Sequence, residues 1–175
     1  HAVRVRRVQV HGATVEEARA GQRTAVALHG VSKEQVARGD WLVAPGSLRA
    51  SNVLDVRFEL LPDYPREWKV ATRVRFHLGA SEIIGRLVLL EGASLKAGAS
   101  ALAQLVLEKP AVAARGDRFV VRSYSPSRTV GGGAVIEPDV GVPDEGHQVI
   151  RGIPIRASWK SMKKNSPPCT MILRE

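Results

Sequence analysis

RVRFHLGASEIIGRLVLLE (residues 73–91) decides the fold class. Its first part alternates strictly, with Val74, Phe76 and Leu78 on one side and Arg73, Arg75 and His77 on the other. A period of two residues puts one face on a core and the other in solvent, which a strand achieves and a helix does not. His77 belongs to the polar set and reads as a rim or interface residue. The second part, Glu82 to Leu90, is apolar on both faces apart from Arg86 and carries Gly85 in its middle. Such a pattern predicts an interior strand with a neighbouring backbone passing close at the glycine.

The same periodicity extends in both directions. Val3-Arg-Val-Arg6 alternates, and Arg7-Val-Gln-Val10 alternates in shifted phase, which predicts a bulged strand. His11-Gly12 reads as a turn, and Gln22 to Leu28 as a second run bounded by Gly21 and Gly30. Ser32 to Ala37 is the one short helix signal, with Ser32 as N-cap. Gly39-Asp40 leads into the apolar run Trp41–Ala44, which Pro45-Gly46 ends. Further strands are predicted at Val53–Leu60, Ala101–Leu107 and Asp117–Tyr124. Gly131-Gly-Gly133 reads as a tight turn or bulge that breaks the chain before Ala134-Val-Ile136. Short strands at this spacing, joined by Gly/Pro turns, predict an all-β protein with two cores and a seam near residues 45–53. Residues 139–175 read as a linker and a poorly defined tail, with a short strand at Ile150–Ile155.

Composition narrows the function classes. The 175 residues are 44% hydrophobic and 25% charged, as in an ordinary globular chain rather than a disordered one. No apolar run exceeds the four residues of Leu87–Leu90, far below the roughly 18 residues of a membrane span. The first ten residues carry three arginines and no apolar segment, so no signal peptide is read there. The chain opens on His1 rather than Met, as a fragment, a processed product or an excised domain would. The single cysteine, Cys169, supports neither an internal disulfide nor a Cys-rich zinc site, in keeping with a reducing compartment. Lys and Arg exceed Asp and Glu by 26 to 17, a net charge of +9. That excess is spread along the chain with no block of like charge, and such a field favours polyanions such as RNA.

Catalytic and nucleotide motifs are missing from the sequence. GxxxxGK[ST] has no match, and the glycine run at 131–133 leads into strand-like residues instead of a helix. The five histidines, His1, His11, His29, His77 and His147, form neither HxxxH nor HExxH, and no GxSxG occurs. A stand-alone enzyme or metal site is therefore not expected. The tetrapeptide Ala-Arg-Gly-Asp recurs at 37–40 and 114–117, too short a repeat to mark a duplication.

The ordered set of larger signatures carries more information. VQVHGATVEEARAGQRTAVALHGVSKEQVARGDWLVAPGSL (8–48) contains His11-Gly12, Ala20-Gly-Gln-Arg23, Gly30-Val31 and Arg38-Gly-Asp40 in order. It resembles the second half of domain II of translational GTPases of the elongation factor Tu type, and within them the selenocysteine-specific elongation factors (SelB). RVRFHLGASEIIGRLVLLE (73–91) and ALAQLVLEKPAVAARGDRFVVRSYSPSRTVGGGAVIEP (101–138) are similar to domain III of the same family, with Arg115–Pro126 and Thr129–Gly133 as its signatures.

The resemblance implies two small β-barrels, the first incomplete: residues 1–50 as the C-terminal part of domain II, 51–138 as domain III, and 139–175 as an unmatched tail. It implies a role in binding selenocysteinyl-tRNA for delivery to the ribosome in the cytoplasm, with no membrane partner. The selenoprotein mRNA element would be bound only through domains missing here. GTP and Mg²⁺ belong to the full-length GTPase, and no cofactor or enzymatic activity is expected of this stretch. Arg23 matches the arginine of the family's selenocysteinyl pocket, where a guanidinium favours an ionised selenol over a neutral serine hydroxyl. Its bland alternative is a surface arginine at a strand start. Arg115, Arg118, Arg122 and Arg128 fall within fourteen residues, with only Asp117 opposing them in sequence, and are candidates for the tRNA backbone. Their alternative is pairing with Asp117 or capping the barrel. The competing class is an RNA- or ribosome-associated β-barrel module without selenocysteine specificity.

Overall fold

The computed structural model describes residues 3–140. Among them the chain divides into two compact units, between Ser47 and Leu48. The short strand expected at Ile150–Ile155, Cys169 and nearly all of the expected tail lie outside the described residues.

The first unit is a three-stranded antiparallel sheet of β1 (Arg4–Val10), β2 (Ala13–Val15) and β3 (Thr24–His29), in the order β2-β1-β3. It is an open sheet, not a closed barrel. The register shifts between Val5 and Arg7, where the phase of the alternation changes in the sequence. His11 and Gly12, at φ 52° and 83°, form the two-residue link between β1 and β2. Two left-handed residues suit such a link because their twist matches that of the paired strands. Cross-strand partners Val5/Leu28 and Val15/Val8/Val26 share one side of the sheet with Val10, the one buried residue of this unit among those described. The helix signal yields a single 3-10 turn, Lys33–Gln35, entered at Ser32, whose N–H donates to Gln35 Oε1 at 2.8 Å. Trp41–Ala44 joins no ladder among the described residues.

The second unit is a closed antiparallel barrel. Its elements are β4 (Ala50–Leu60), β5 (Trp68–Lys69), β6 (Thr72–Leu78), β7 (Ser81–Leu89), β8 (Ser94–Leu95), β9 (Ser100–Val112), β10 (Arg118–Ser123) and β11 (Thr129–Glu137). Six of them close the barrel in the order β10-β11-β4-β9-β7-β6, while β5 and β8 pair with each other. Alternation fills the interior with Leu54, Val56, Phe58 and Leu60 from β4, Val74, Phe76 and Leu78 from β6, and Ala103, Leu105 and Leu107 from β9. Each of the large side chains contributes roughly 1.5–3 kcal/mol by burial. Trp68 lies between Phe58 and Tyr64, with ring centroids 5.6 and 5.8 Å away.

Two glycine positions show different fates for the sequence expectation. Gly85 sits inside β7 opposite Leu107, and a Cβ there would lie 2.6 Å from the Val106 carbonyl oxygen, as an interior strand with a close approach requires. Gly131–Gly133 do not break the chain: β11 runs straight through them. The bulge lies one residue earlier, where the register skips Val130 between Gly131 and Thr129. Gly133 pairs with Phe58 on one side and Phe119 on the other, and a Cβ there would run into the Arg57 carbonyl oxygen. The glycines are needed for crowding by neighbouring strands, not for a turn.

Candidate functional site

Arg23 sits where β3 begins. A turn over Arg19–Gln22 delivers it, with the Gln22 N–H donating to the Arg19 carbonyl at 3.2 Å and Gly21 at φ 87°. The same turn closes a second time through a side chain: the Arg19 N–H donates to Gln22 Oε1 at 2.8 Å. Thr24 Oγ1 then donates to the Gln22 carbonyl at 3.3 Å. Thr24 pairs with Val10, so Arg23 lies just beyond the ladder, on the side of the His11-Gly12 link. Together with Gln9, His11, Gly12, Thr24 and Ala25 it lines a concavity of about 500 Å³. The guanidinium is exposed, and no carboxylate among the described residues pairs with it. An unpaired guanidinium over a polar concavity is suited to an anion or a hydrogen-bond acceptor.

The other four candidate arginines lie on and around β10, with Arg115 before its first residue and Arg128 at the far end of the hairpin it forms with β11. Arg118 and Arg122 alternate with the interior residues Phe119 and Val121 of β10 and so project outward. Arg115 lies in the turn before β10, and Arg128 immediately before β11. The expectation that only Asp117 opposes them does not hold. Asp117 Oδ2 instead accepts the Ala114 N–H at 2.8 Å. Arg115 Nη2 pairs with Glu137 Oε2 at 2.6 Å, and Arg128 Nη2 with Asp63 Oδ2 at 3.6 Å. Both carboxylates are remote in sequence, so counting charges in a window missed them. Arg118 has no such partner among the described residues.

Strand pairing adds residues that the sequence left unselected. Arg122 is the register partner of Arg75, and Val120 that of His77. The Arg73 and Arg75 guanidinium carbons lie 4.4 and 5.3 Å from the centroid of the Tyr124 ring, within cation–π range. Glu82 is central to this cluster: Arg75 Nη1 bonds it at 2.5 Å and His77 Nε2 lies 3.6 Å away. The Arg75 hydrogen bond holds the Glu82 carboxyl below its ordinary range, aided by the charges of Arg75, His77 and Arg122 and opposed by desolvation. Alternation along 73–77 already pointed Arg73 and Arg75 outward. Their meeting with Arg122 and Tyr124 required knowledge that β6 and β10 are neighbours.

Comparison with known proteins agrees with this architecture. Residues 55–141 match the family model described as "Selenocysteine-specific elongation factor, beta-barrel domain". The chain is 42% identical over 138 residues to the selenocysteine-specific elongation factor of Desulfomicrobium baculatum, covering 79% of this chain and 22% of that protein. It is 35% identical over 136 residues to that of Escherichia coli strain K12, covering 77% and 20%. In fold it is similar to the apo crystal structure of translation elongation factor SelB from Methanococcus maripaludis, with a TM-score of 0.65, 20% identity, and coverage of 78% of this chain and 34% of that one. The chain thus spans about a fifth of the length of the curated relatives it matches. The all-β architecture, the closed six-stranded barrel and these matches together place it: the chain belongs to the selenocysteine-specific elongation factor family, as a part that includes the family's β-barrel domain.

Proposed function

We propose that this chain is the aminoacyl-tRNA-binding part of a selenocysteine-specific elongation factor, with Arg23 at the aminoacyl end and the domain III arginines on the RNA backbone. The observation that carries the reading is the Arg23 guanidinium, with no carboxylate partner among the described residues, over the concavity beside the His11-Gly12 link. A selenol ionises near neutral pH, whereas a serine hydroxyl does not. A fixed cation therefore separates the two by charge, although they differ by little in shape. Phosphate contacts from a rigid barrel hold the tRNA body without reading base identity. Arg118, exposed and without a carboxylate partner among the described residues, is ready for such a contact, whereas phosphates reaching Arg115 and Arg128 would replace Glu137 and Asp63.

The ribosome, the selenoprotein mRNA element, GTP and Mg²⁺ enter this reading through the full-length factor in the cytoplasm. The residues at hand do not fit a nucleotide or metal: the sequence has no phosphate-cradling loop, and no group of three or more His, Cys, Asp or Glu among the described residues could hold an ion. The chain by itself is proposed to be non-enzymatic. No helix among the described residues is long and apolar enough to cross a membrane.

The test is side-by-side binding of selenocysteinyl-tRNA and seryl-tRNA to an intact family member carrying the same Ala-Gly-Gln-Arg, with Arg23→Ala. A charge-assisted contact is worth roughly 1.5–3 kcal/mol, so preference for the selenocysteinyl form should fall about ten- to a hundredfold. A parallel loss for both tRNAs refutes the selenolate role. Equal wild-type affinities support an RNA-binding module without selenocysteine specificity.

A further inference from the structure

We propose that Gln22 is the positioning residue for Arg23, and that its neutral amide is what leaves Arg23 available to an anion. This rests on the reading of Arg23 above and on a glycine turn that occurs three times among the described residues; Ser32–Gln35 closes in the same two ways with Glu34 in place of the glycine. Arg19-Ala-Gly-Gln22, Ala37-Arg-Gly-Asp40 and Ala114-Arg-Gly-Asp117 share one construction. The N–H of the fourth residue donates to the carbonyl of the first at 3.2, 3.2 and 3.1 Å. The third residue is glycine at φ 87°, 99° and 90°. The side chain of the fourth residue accepts the N–H of the first at 2.8, 2.6 and 2.8 Å. Each turn is thereby closed from both sides, and the residue that follows it leaves in a fixed direction.

Two of the three turns use a carboxylate for the second closure. The exception is the turn that precedes Arg23. The molecule contains its own comparison, because Asp117 closes a turn that is followed by Arg118 at the start of β10. The same device thus delivers an arginine to a strand in each unit, once behind a carboxylate and once behind an amide. A carboxylate one residue from Arg23 would lower the local positive potential that an anionic side chain meets. An amide oxygen closes the turn without that charge. The Thr24 hydroxyl, donating to the Gln22 carbonyl at 3.3 Å, ties the turn to the first residue of β3.

Three variants of this chain separate the two roles: Gln22→Ala opens the second closure, Gln22→Asn keeps it with the reach that Asp40 and Asp117 already use, and Gln22→Asp keeps it and adds charge. Amide hydrogen exchange at Arg19 and ¹⁵N relaxation at the Arg23 amide read the closure without any ligand. Exchange at Arg19 should accelerate about two- to tenfold in Gln22→Ala, the range of one neutral hydrogen bond, and stay near wild type in the other two. The probes for the anion are reduced N-acetylselenocysteinamide and N-acetylserinamide, titrated against the backbone amide resonances of Gly12 and Thr24, which line the concavity and are present in every variant. Selenolate affinity should fall several-fold in Gln22→Ala, hold in Gln22→Asn, and fall at least as far in Gln22→Asp although its Arg19 amide stays protected. Unchanged exchange and order in Gln22→Ala overturn the positioning role. Wild-type selenolate affinity in Gln22→Asp overturns the charge role. Equal response of wild type and Arg23→Ala to the selenolate defeats the reading of Arg23, and the charge role with it, while the exchange and relaxation data still decide whether Gln22 positions the residue.

Discussion

Replacing Gly133 by alanine should destabilise the barrel by about 3 kcal/mol, more than the same change at the left-handed Gly116. Gly133 lies in β11 between Phe58 of β4 and Phe119 of β10, paired in register with both. An added methyl would run into the Arg57 carbonyl oxygen and stand 3.1 Å from Phe119 Cζ. The Arg57 carbonyl belongs to a strand held on its far side by β9, so it cannot turn away. The strand spacing, normally about 4.7–4.9 Å, must open locally. Overpacking of this kind costs about 1–3 kcal/mol, and each ladder bond lost adds about 0.5–1.5 kcal/mol. The lower chain entropy of alanine in the unfolded state returns about 0.4–1 kcal/mol. Gly116→Ala is the control: its φ is 90° but a Cβ there meets nothing within 4 Å, so it should lose only the roughly 1–2 kcal/mol of a left-handed alanine. Urea unfolding followed by circular dichroism and by the fluorescence of buried Trp68 measures both. A Gly133→Ala loss below that of Gly116→Ala, at unchanged m-value, would refute the crowding argument.

Two further outcomes are expected. Burial holds the Asp55 carboxyl above its ordinary value of 3.8, with the Gln104 hydrogen bond opposing and the Glu137 charge adding to the rise. A raised carboxyl binds its proton more tightly in the folded state, so ionised Asp55 opposes folding above its folded pKa, and the penalty vanishes as pH falls to the ordinary value. Asp55→Asn keeps an oxygen for Gln104 and should raise the unfolding midpoint at pH 7, with the gain disappearing below about pH 4; a loss at pH 7, or a pH-independent difference, contradicts this. Arg122→Glu with Arg128→Glu should weaken tRNA binding by the intact factor and flatten its salt dependence by about one unit of slope per lost phosphate contact. An unchanged slope removes both residues from the RNA contact.

How far the sequence could be read depended on whether a residue's environment is local. The hairpin of β6 and β7 was legible because alternation is set by the chain's own pleat: Val74, Phe76 and Leu78 are buried as their spacing requires. Gly85 was legible because an apolar strand with a glycine inside needs a close neighbour. The run Gly131–Gly133 was not, because glycine carries no pattern of its own, and the residues that demand it, Phe58 and Phe119, stand on other strands. The apolar run Trp41–Ala44 shows the converse: a strand exists only through a ladder partner, and none of the described residues supplies one. Arg23 came from the resemblance of Ala20-Gly-Gln-Arg23 rather than from any spacing. The Gln22 closure was hidden, although the recurring Ala-Arg-Gly-Asp carried its outline: four residues are too few to reveal descent but enough to encode a turn. For Arg115 and Arg128, Glu137 and Asp63 stand 22 and 65 positions away in sequence, distances only the folded topology brings together.

The pairing of β4 with β11 governs how the barrel answers to force. Ala50 opens β4 and Glu137 closes β11, and because the two strands are antiparallel neighbours, both chain connections leave from the same rim. A pull on those two connections acts across the shared ladder and parts its bonds one after another, beginning at Asp55 and Glu137. Loading of this kind unzips a seam at low tension, whereas strands pulled from opposite ends share the load over every bond at once. A tether running through the unit would therefore peel β11 from β4 first and leave the β6–β7 hairpin, on the far side of the ring, as the last part to yield.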